Sequence, residues 1–241
     1  MAGSDRVDDR YARHRDLIGP GGWERLCSLR VLVAGCGGLG SHVLDLLARL
    51  APMRLELWDP GVLDEPDLNR QSLYVPADLG SLKAEAARRR LLEINPELQV
   101  VIRVEPILAD SFAGQAFGGI DACFDCLDSF SARAGLEKAV IAARGRQSGA
   151  TLPIFHGGVS GFYGQAAAIT PPEPGYAHLF GPGFETVPAD PKPVFPPAVA
   201  IVASLQVSEF VSWLKSDGAS RGLELVTVDC VRNSFDRIRI G

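Results

Sequence analysis

Four glycines in six residues, Gly35-Cys36-Gly37-Gly38-Leu39-Gly40, separate an apolar run from an amphipathic one, and Asp59 closes the next expected strand. Glycines let a backbone approach an anion closely, and the amides that open a helix favour a phosphate there. A carboxylate at the end of the following strand can accept hydrogen bonds from ribose hydroxyls. Gly35, Gly37, Gly38, Gly40 and Asp59 are therefore candidates for a nucleotide site, with a tight turn serving only packing as the competing explanation. The commonest owners of this pattern bind NAD, and the motif alone does not choose a nucleotide.

Three further features favour a chain of phosphates with a metal. Asp67-Leu68-Asn69-Arg70-Gln71 lies in a polar loop just beyond Asp59. Lys83 falls in the first turn of an expected helix, where the dipole disfavours a cation unless an anion is near; a solvated surface lysine explains it equally well. Asp125-Cys126-Leu127-Asp128 follows the fourth expected strand, which puts Asp128, with Ser129 beside it, where open α/β sheets bind their ligands. Asp128 as the N-cap of the next helix is the alternative. Arginine, lysine and an uncommitted carboxylate suit a triphosphate with magnesium better than a nicotinamide.

These side chains need a scaffold, and hydrophobic periodicity supplies one. Leu29–Ala34 reads as a buried parallel strand, Ser41–Leu50 as a helix and Arg54–Trp58 as a second strand. Ser81–Ile94 is an amphipathic helix stopped by Asn95-Pro96, strands are expected at Gln99–Val104 and Ala122–Phe124, and a helix at Ser131–Arg144. The rhythm indicates an α/β fold, a Rossmann-like open and mostly parallel sheet with helices on both faces. Pro153–Gly158 and Gly164–Thr170 read as further strands. Nine of the seventeen prolines then fall in Pro171–Pro197, so this stretch is expected to be a long extended loop without regular helix. An apolar helix at Ala198–Leu214 and an antiparallel pair, Leu223–Asp229 and Ser234–Ile240, extend the sheet. One domain is expected, with an arm at 1–28, a nucleotide-binding half at 29–150 and a second half with a crossover loop at 151–241.

The chain has 241 residues, 46% of them hydrophobic, enough for one large α/β domain. With 24 Lys+Arg against 29 Asp+Glu, the acidic balance argues against nucleic acid or an anionic membrane as partner. The N-terminus has no apolar h-region, Ala198–Val207 is too short an apolar run to span a bilayer, and five scattered cysteines point to a reducing compartment. A cytoplasmic enzyme is the expectation.

In their order and spacing, these motifs resemble the ThiF/MoeB/HesA family, bacterial relatives of ubiquitin-activating enzymes. The resemblance runs from Arg10-Tyr11-Ala12-Arg13 through the glycine turn, Asn69-Arg70-Gln71, Gly80-Ser81-Leu82-Lys83 and Ile94-Asn95-Pro96. It continues in Asp125-Cys126-Leu127-Asp128 with Arg133, and in Gly157-Gly158-Val159-Ser160-Gly161 leading to Gly164-Gln165. It implies binding of ATP and Mg2+ and adenylation of the C-terminal glycine of a small ubiquitin-like sulfur carrier ending in Gly-Gly, with an external sulfur donor. By the same resemblance, Gly38 and its neighbours line the nucleotide and Asp59 holds the ribose. Arg70 and Lys83 contact phosphates with Gln71 in support, Asp67 and Asn69 share that loop, and Asp128 coordinates magnesium. Arg13 matches an arginine inserted from a partner subunit, which implies a homodimer.

The chain also departs from the pattern. Gly61 replaces a second aspartate, and Asp67 stands where an asparagine is usual; a carboxylate there repels a triphosphate unless a metal or Arg70 compensates. Many relatives carry two Cys-x-x-Cys pairs for zinc, but the first would fall at Gly175 and His178 and no second occurs before Gly241, so no zinc is expected. His14, His42 and His156 lack ligand spacing and read as structural. Cys36 and Cys126 flank the nucleotide site, while Cys27, Cys123 and Cys230 read as core residues. With no cysteine in the crossover loop, adenylation is expected without a covalent carrier intermediate. The competing functions are an NAD-dependent oxidoreductase, a non-catalytic carrier-binding relative, and a tRNA-modifying dehydratase of the same fold.

Overall fold

The computed structural model describes residues 10–107, 119–144, 152–171, 174–188, 193–216 and 222–240. Parts of the proline-rich stretch (172–173 and 189–192) lie outside them, as do residues 1–9 of the arm. Eight strands form one sheet in the order β3-β2-β1-β4-β5-β6-β7-β8. They are β1 Arg30–Ala34, β2 Arg54–Trp58, β3 Gln99–Arg103, β4 Ala122–Asp125, β5 Ile154–Ser160, β6 Tyr163–Ile169, β7 Leu223–Asp229 and β8 Ser234–Ile240. The first five run parallel, and β6, β7 and β8 are joined antiparallel. The chain leaves β1 toward β2 on one side and returns to β4 on the other. This reversal opens a crevice at the carboxyl ends of β1 and β4, the usual place for a ligand.

Seven helices are described: α1 Arg15–Ile18, α2 Pro20–Ser28, α3 Gly38–Leu50, α4 Lys83–Ile94, α5 Phe130–Arg144, α6 Tyr176–Phe180 and α7 Pro196–Lys215. One face of the sheet packs residues of α2, α3, α4 and α7 around Val31, Val33, Leu55, Leu57 and Phe124. The other packs α5 and α6 around Leu32, Cys123, Ile154 and Ala167. Alternate residues of β1 and β4 thus serve opposite layers, which is why Val31–Ala34 and Ala122–Phe124 read as continuous apolar runs. Among the described residues, α7 is the one helix whose length and composition would allow it to cross a membrane, a property that its shorter apolar core at Ala198–Val207 concealed. Here its apolar side is a core face: Val199, Val202, Ala203 and Phe210 are buried, the last in edge contact with Phe124 and Phe155.

The proline-rich stretch corrects the sequence reading. It contains α6 and a 3-10 turn at Phe184–Thr186, and its last two prolines open α7. Proline is excluded from helix interiors, not from the first turn, where the missing N–H has no intrahelical partner. Residues 175–181 hold no proline, and tertiary contacts stabilise a helix too short to persist alone. The backbone N–H of Tyr176 donates to Glu137 Oε1 at 2.7 Å, and its ring packs on Phe180 and Phe184.

The arm is docked at the end of the sheet remote from the glycine turn. Arg10 donates to the carbonyl of Ile94, and His14 Nε2 lies 2.8 Å from that of Leu50, both at helix C-termini. Buried Asn95 ties this corner together by donating to Tyr11 Oη at 2.8 Å and Ala48 O at 2.9 Å. The 13 residues of α3 separate the corner from the glycine turn by about 20 Å. Asn95→Ala is expected to cost about 1–3 kcal/mol by leaving buried partners unmatched. Its signature is protease cleavage within 10–19 at denaturant concentrations where the rest of the chain resists.

Candidate active site

The glycine turn is packed against backbone at two of its four glycines. A Cβ on Gly40 would lie 1.9 Å from Gly35 O, and one on Gly35, whose φ is +92°, would lie 2.6 Å from Cys126 O. Gly35, Gly37 and Gly38 line the crevice, while Gly40 does not. Helix α3 starts at Gly38 with no side chain capping it, so its first amides face the crevice and favour an anion. Asp59 caps the arrangement from β2: its two oxygens accept the N–H groups of Cys36 and Gly61, each at 2.6 Å. It remains in the crevice wall, with lone pairs left for further donors.

Behind the wall stands Asp67. Its Oδ1 accepts from Gln71 Nε2 at 2.6 Å and from Arg70 Nη2 at 3.4 Å, and its Oδ2 lies 3.1 Å from Lys83 Nζ. A local turn fixes the carboxylate, since Oδ2 also accepts the N–H of Asp64. Arg70, Gln71 and Lys83 line the crevice, whereas Asp67 and Asn69 do not. Asn69 instead accepts from Arg70 Nη1 at 3.1 Å and steadies the guanidinium. The anion required by a lysine in a helix's first turn is therefore the chain's own Asp67.

Opposite, Ser129 and not Asp128 caps α5: Ser129 Oγ accepts the N–H of Ala132 at 3.3 Å. Asp128 is exposed in the crevice wall and makes no hydrogen bond or ion pair among the described residues. The loop carrying both is held from below by Asp125, fully buried at the end of β4. Asp125 Oδ2 accepts from Arg133 Nε at 3.0 Å, His156 Nδ1 at 2.6 Å and Tyr176 Oη at 2.7 Å, and Oδ1 from the N–H of Leu127 at 3.0 Å. Arg133 Nη2 adds bonds to the carbonyls of Leu127 and Gly157. Burial alone would raise the Asp125 carboxyl, but the Arg133 guanidinium and the His156 hydrogen bond hold it at about 2. Burial drives His156 below its ordinary value against the opposing pull of Asp125. The crevice between these groups encloses about 1690 Å³.

The ThiF family model matches residues 11–241. The chain belongs to the ThiF family. It is 31% identical over 245 residues to the SAMP-activating enzyme E1 of Haloferax volcanii, covering 95% of this chain and 84% of that protein. It is 30% identical over 245 residues to the molybdopterin-synthase adenylyltransferase of Escherichia coli, covering 98% and 94%. Its fold also matches MccB of E. coli, solved with MccA-N7isoASN, with a TM-score of 0.79 at 19% identity over 98% of this chain and 72% of that one.

Within this ThiF-family frame, both departures near the glycine turn have a physical explanation. A Cβ at Gly61 would lie 2.9 Å from Asp59 Oδ1 and 3.4 Å from Lys83 Cδ, so the lysine stem occupies that space. Asp67 is compensated by Arg70, as the sequence allowed, and by Lys83 and Gln71 as well. At the position of the first zinc pair, Gly175 and His178 form a local turn, with Gly175 N donating to His178 Nδ1 at 3.2 Å. Arg13 is exposed on the remote arm and is not brought to the crevice of its own chain. Sequence reasoning missed the Asp125–His156–Tyr176 network. A second aspartate at the end of the apolar fourth strand, ahead of Arg133, was its one visible signal.

Asp125 and His156 both have folded-state pKa values below their ordinary ones, so the unfolded chain binds these protons more readily and acid destabilises the fold. Stability is expected to fall below about pH 6.5 as unfolded His156 charges, with partly buried His42 adding to the loss. A second loss of roughly 2 kcal/mol follows as pH drops from about 3.8 toward 2 through Asp125. Chemical denaturation against pH measures both windows, and His156→Asn should shrink the first more than the second, which the Arg133 guanidinium still sustains.

Proposed function

We propose that the chain is an ATP-dependent adenylyltransferase for the C-terminal glycine of a ubiquitin-like sulfur carrier. One observation carries the reading: Arg70, Gln71 and Lys83 converge on one side of the uncapped start of α3, and Asp128 stands uncommitted on the other. Cations and amides on one wall with a lone carboxylate on the other suit a triphosphate and its metal. The names of the family relatives support the same reaction. The crevice also exceeds the roughly 300–1,000 Å³ of common small-ligand sites, leaving room for a polypeptide tail beside a nucleotide.

In this reading the phosphates lie across the first amides of α3, and the ribose hydroxyls donate to Asp59. Arg70 and Lys83 turn from Asp67 toward the phosphates, and Gln71 keeps the loop in register. The carrier carboxylate attacks the α-phosphorus, forming an acyl–phosphate bond while the bond to the β-phosphate oxygen breaks and pyrophosphate departs. Two anions must meet, so the gain comes from fixed positive charge and alignment. Asp128 fits Mg2+, which retains waters and binds through one or two carboxylates plus phosphate oxygens; bound there, it neutralises leaving-group charge. The nucleophilic sulfur of an external donor then attacks the acyl carbon, forming a carbon–sulfur bond as the bond to AMP breaks and AMP leaves.

The position of Arg13 supports a homodimer. The corner where the arm docks lies about 20 Å from the glycine turn, so an Arg13 that contacts phosphate would serve the crevice of a second copy. ATP–pyrophosphate exchange dependent on a Gly-Gly carrier is expected in the wild type and should be lost in Lys83→Ala and Asp128→Ala. Arg13→Ala is also expected to be inactive. Co-expressed Arg13→Ala and Asp128→Ala chains should regain about a quarter of the wild-type rate through hybrid dimers; no recovery sinks the shared site.

Asp67 sets the cost of recruiting its cations. Asp67→Asn removes a negative charge beside the phosphates and should tighten ATP binding roughly tenfold by titration calorimetry. The same change unbalances Lys83 and Arg70 in the free protein, so the melting temperature should fall as affinity rises.

A further inference from the structure

Gln165, on β6, closes the sequence's last recognisable motif yet has no part in holding the nucleotide. It lines the crevice next to Gly158 and Tyr163, on the side away from Arg70 and Lys83. Its amide nitrogen lies 3.0 Å from His156 Nε2, and His156 Nδ1 lies 2.6 Å from Asp125 Oδ2. These contacts determine every proton in the chain of groups. Asp125 is an ionised carboxylate and only accepts, so His156 carries its proton on Nδ1. Arg133 already balances the charge of Asp125, and Tyr176 donates to the same oxygen, so the buried imidazole stays neutral and Nε2 is an acceptor. Gln165 must therefore turn its NH2 group inward, leaving its carbonyl oxygen without a partner among the described residues.

We propose that Gln165, held in one orientation by the Asp125–His156 pair, is a specificity-determining contact that accepts a hydrogen bond from the backbone N–H of the carrier's penultimate glycine. This rests on the adenylation reading above. The geometry offers the crevice an acceptor, which a terminal carboxylate cannot satisfy and a peptide N–H can. An extended tail presents such an N–H one residue before its carboxylate. Gly158, next to Gln165 on β5, leaves the wall low: a Cβ there would lie 3.3 Å from the Gln165 stem. His156 is then a positioning residue, and its Nε2 prevents the amide from flipping.

The test is a cycle in ATP–pyrophosphate exchange, using a ubiquitin-like sulfur carrier ending in Gly-Gly and a semisynthetic copy with sarcosine as the penultimate residue. Sarcosine lacks the N–H and keeps the rest of the tail. Gln165→Ala should raise carrier KM roughly tenfold while leaving the KM for ATP within twofold. With the sarcosine carrier, wild type should show the same tenfold rise and Gln165→Ala no further one. His156→Asn should raise carrier KM without changing ATP KM; a structural role alone would move both. Additive effects of Gln165→Ala and sarcosine overturn the contact, as does an unchanged carrier KM in Gln165→Ala. Absence of carrier-dependent exchange in the wild type instead overturns the adenylation reading, so the two failures are distinguishable.

Discussion

Positive charge gathered for a phosphate chain must be held in place before the phosphate arrives, and Asp67 meets that constraint here. Without a counter-anion, Lys83 and Arg70 would repel each other at the dipole-positive start of a helix, and Lys83 would pay an extra penalty in the first turn of α4. One buried carboxylate, fixed by the turn at Asp64, pairs with both cations and orients Gln71. The cations are thereby held at the crevice wall before binding, and a phosphate chain must draw them from Asp67. The counter-anion lies behind the wall, where it restrains the cations without occupying the space they face.

A second carboxylate does the corresponding work on the opposite wall. Asp125 is the junction of β4, β5, α5 and α6, accepting hydrogen bonds from residues of all three neighbouring elements. Such a network stabilises only when every member is satisfied, and here the carboxylate is matched by four donors. Its consequence for chemistry is positional. Because Leu127 is gripped at both its N–H and its carbonyl, Asp128 is presented from a rigid loop while its own oxygens remain available. The same network anchors α6, so the crossover segment and the loop that carries Asp128 share one fastening point.

Much of this was legible in the sequence, and the parts that were not share a cause. Strands whose apolar residues run together, such as Val31–Ala34 in β1, were readable because periodicity and burial are local properties. The glycine turn was readable because Gly35 and Gly40 are dictated by backbone contact. Helix α6 was hidden because proline density was averaged over a stretch whose middle has none, and because its stability comes from Asp125 and Glu137 far away in sequence. The assignment of Asp128 and Ser129 depended on which of two adjacent polar residues meets the helix amides, a matter of one residue's placement. Asp67 looked like a liability since sequence shows a charge without its partners. His156 looked merely structural for the same reason: its significance lies in two contacts, one to β4 and one to β6.

The central claim is that this crevice takes a triphosphate with its metal in place of a dinucleotide. Isothermal titration of the intact protein with ATP and with NAD, each with and without magnesium, tests it most directly. The account predicts saturable ATP binding that strengthens with magnesium, and no heat from NAD. Saturable NAD binding indifferent to magnesium, with ATP silent, would contradict it.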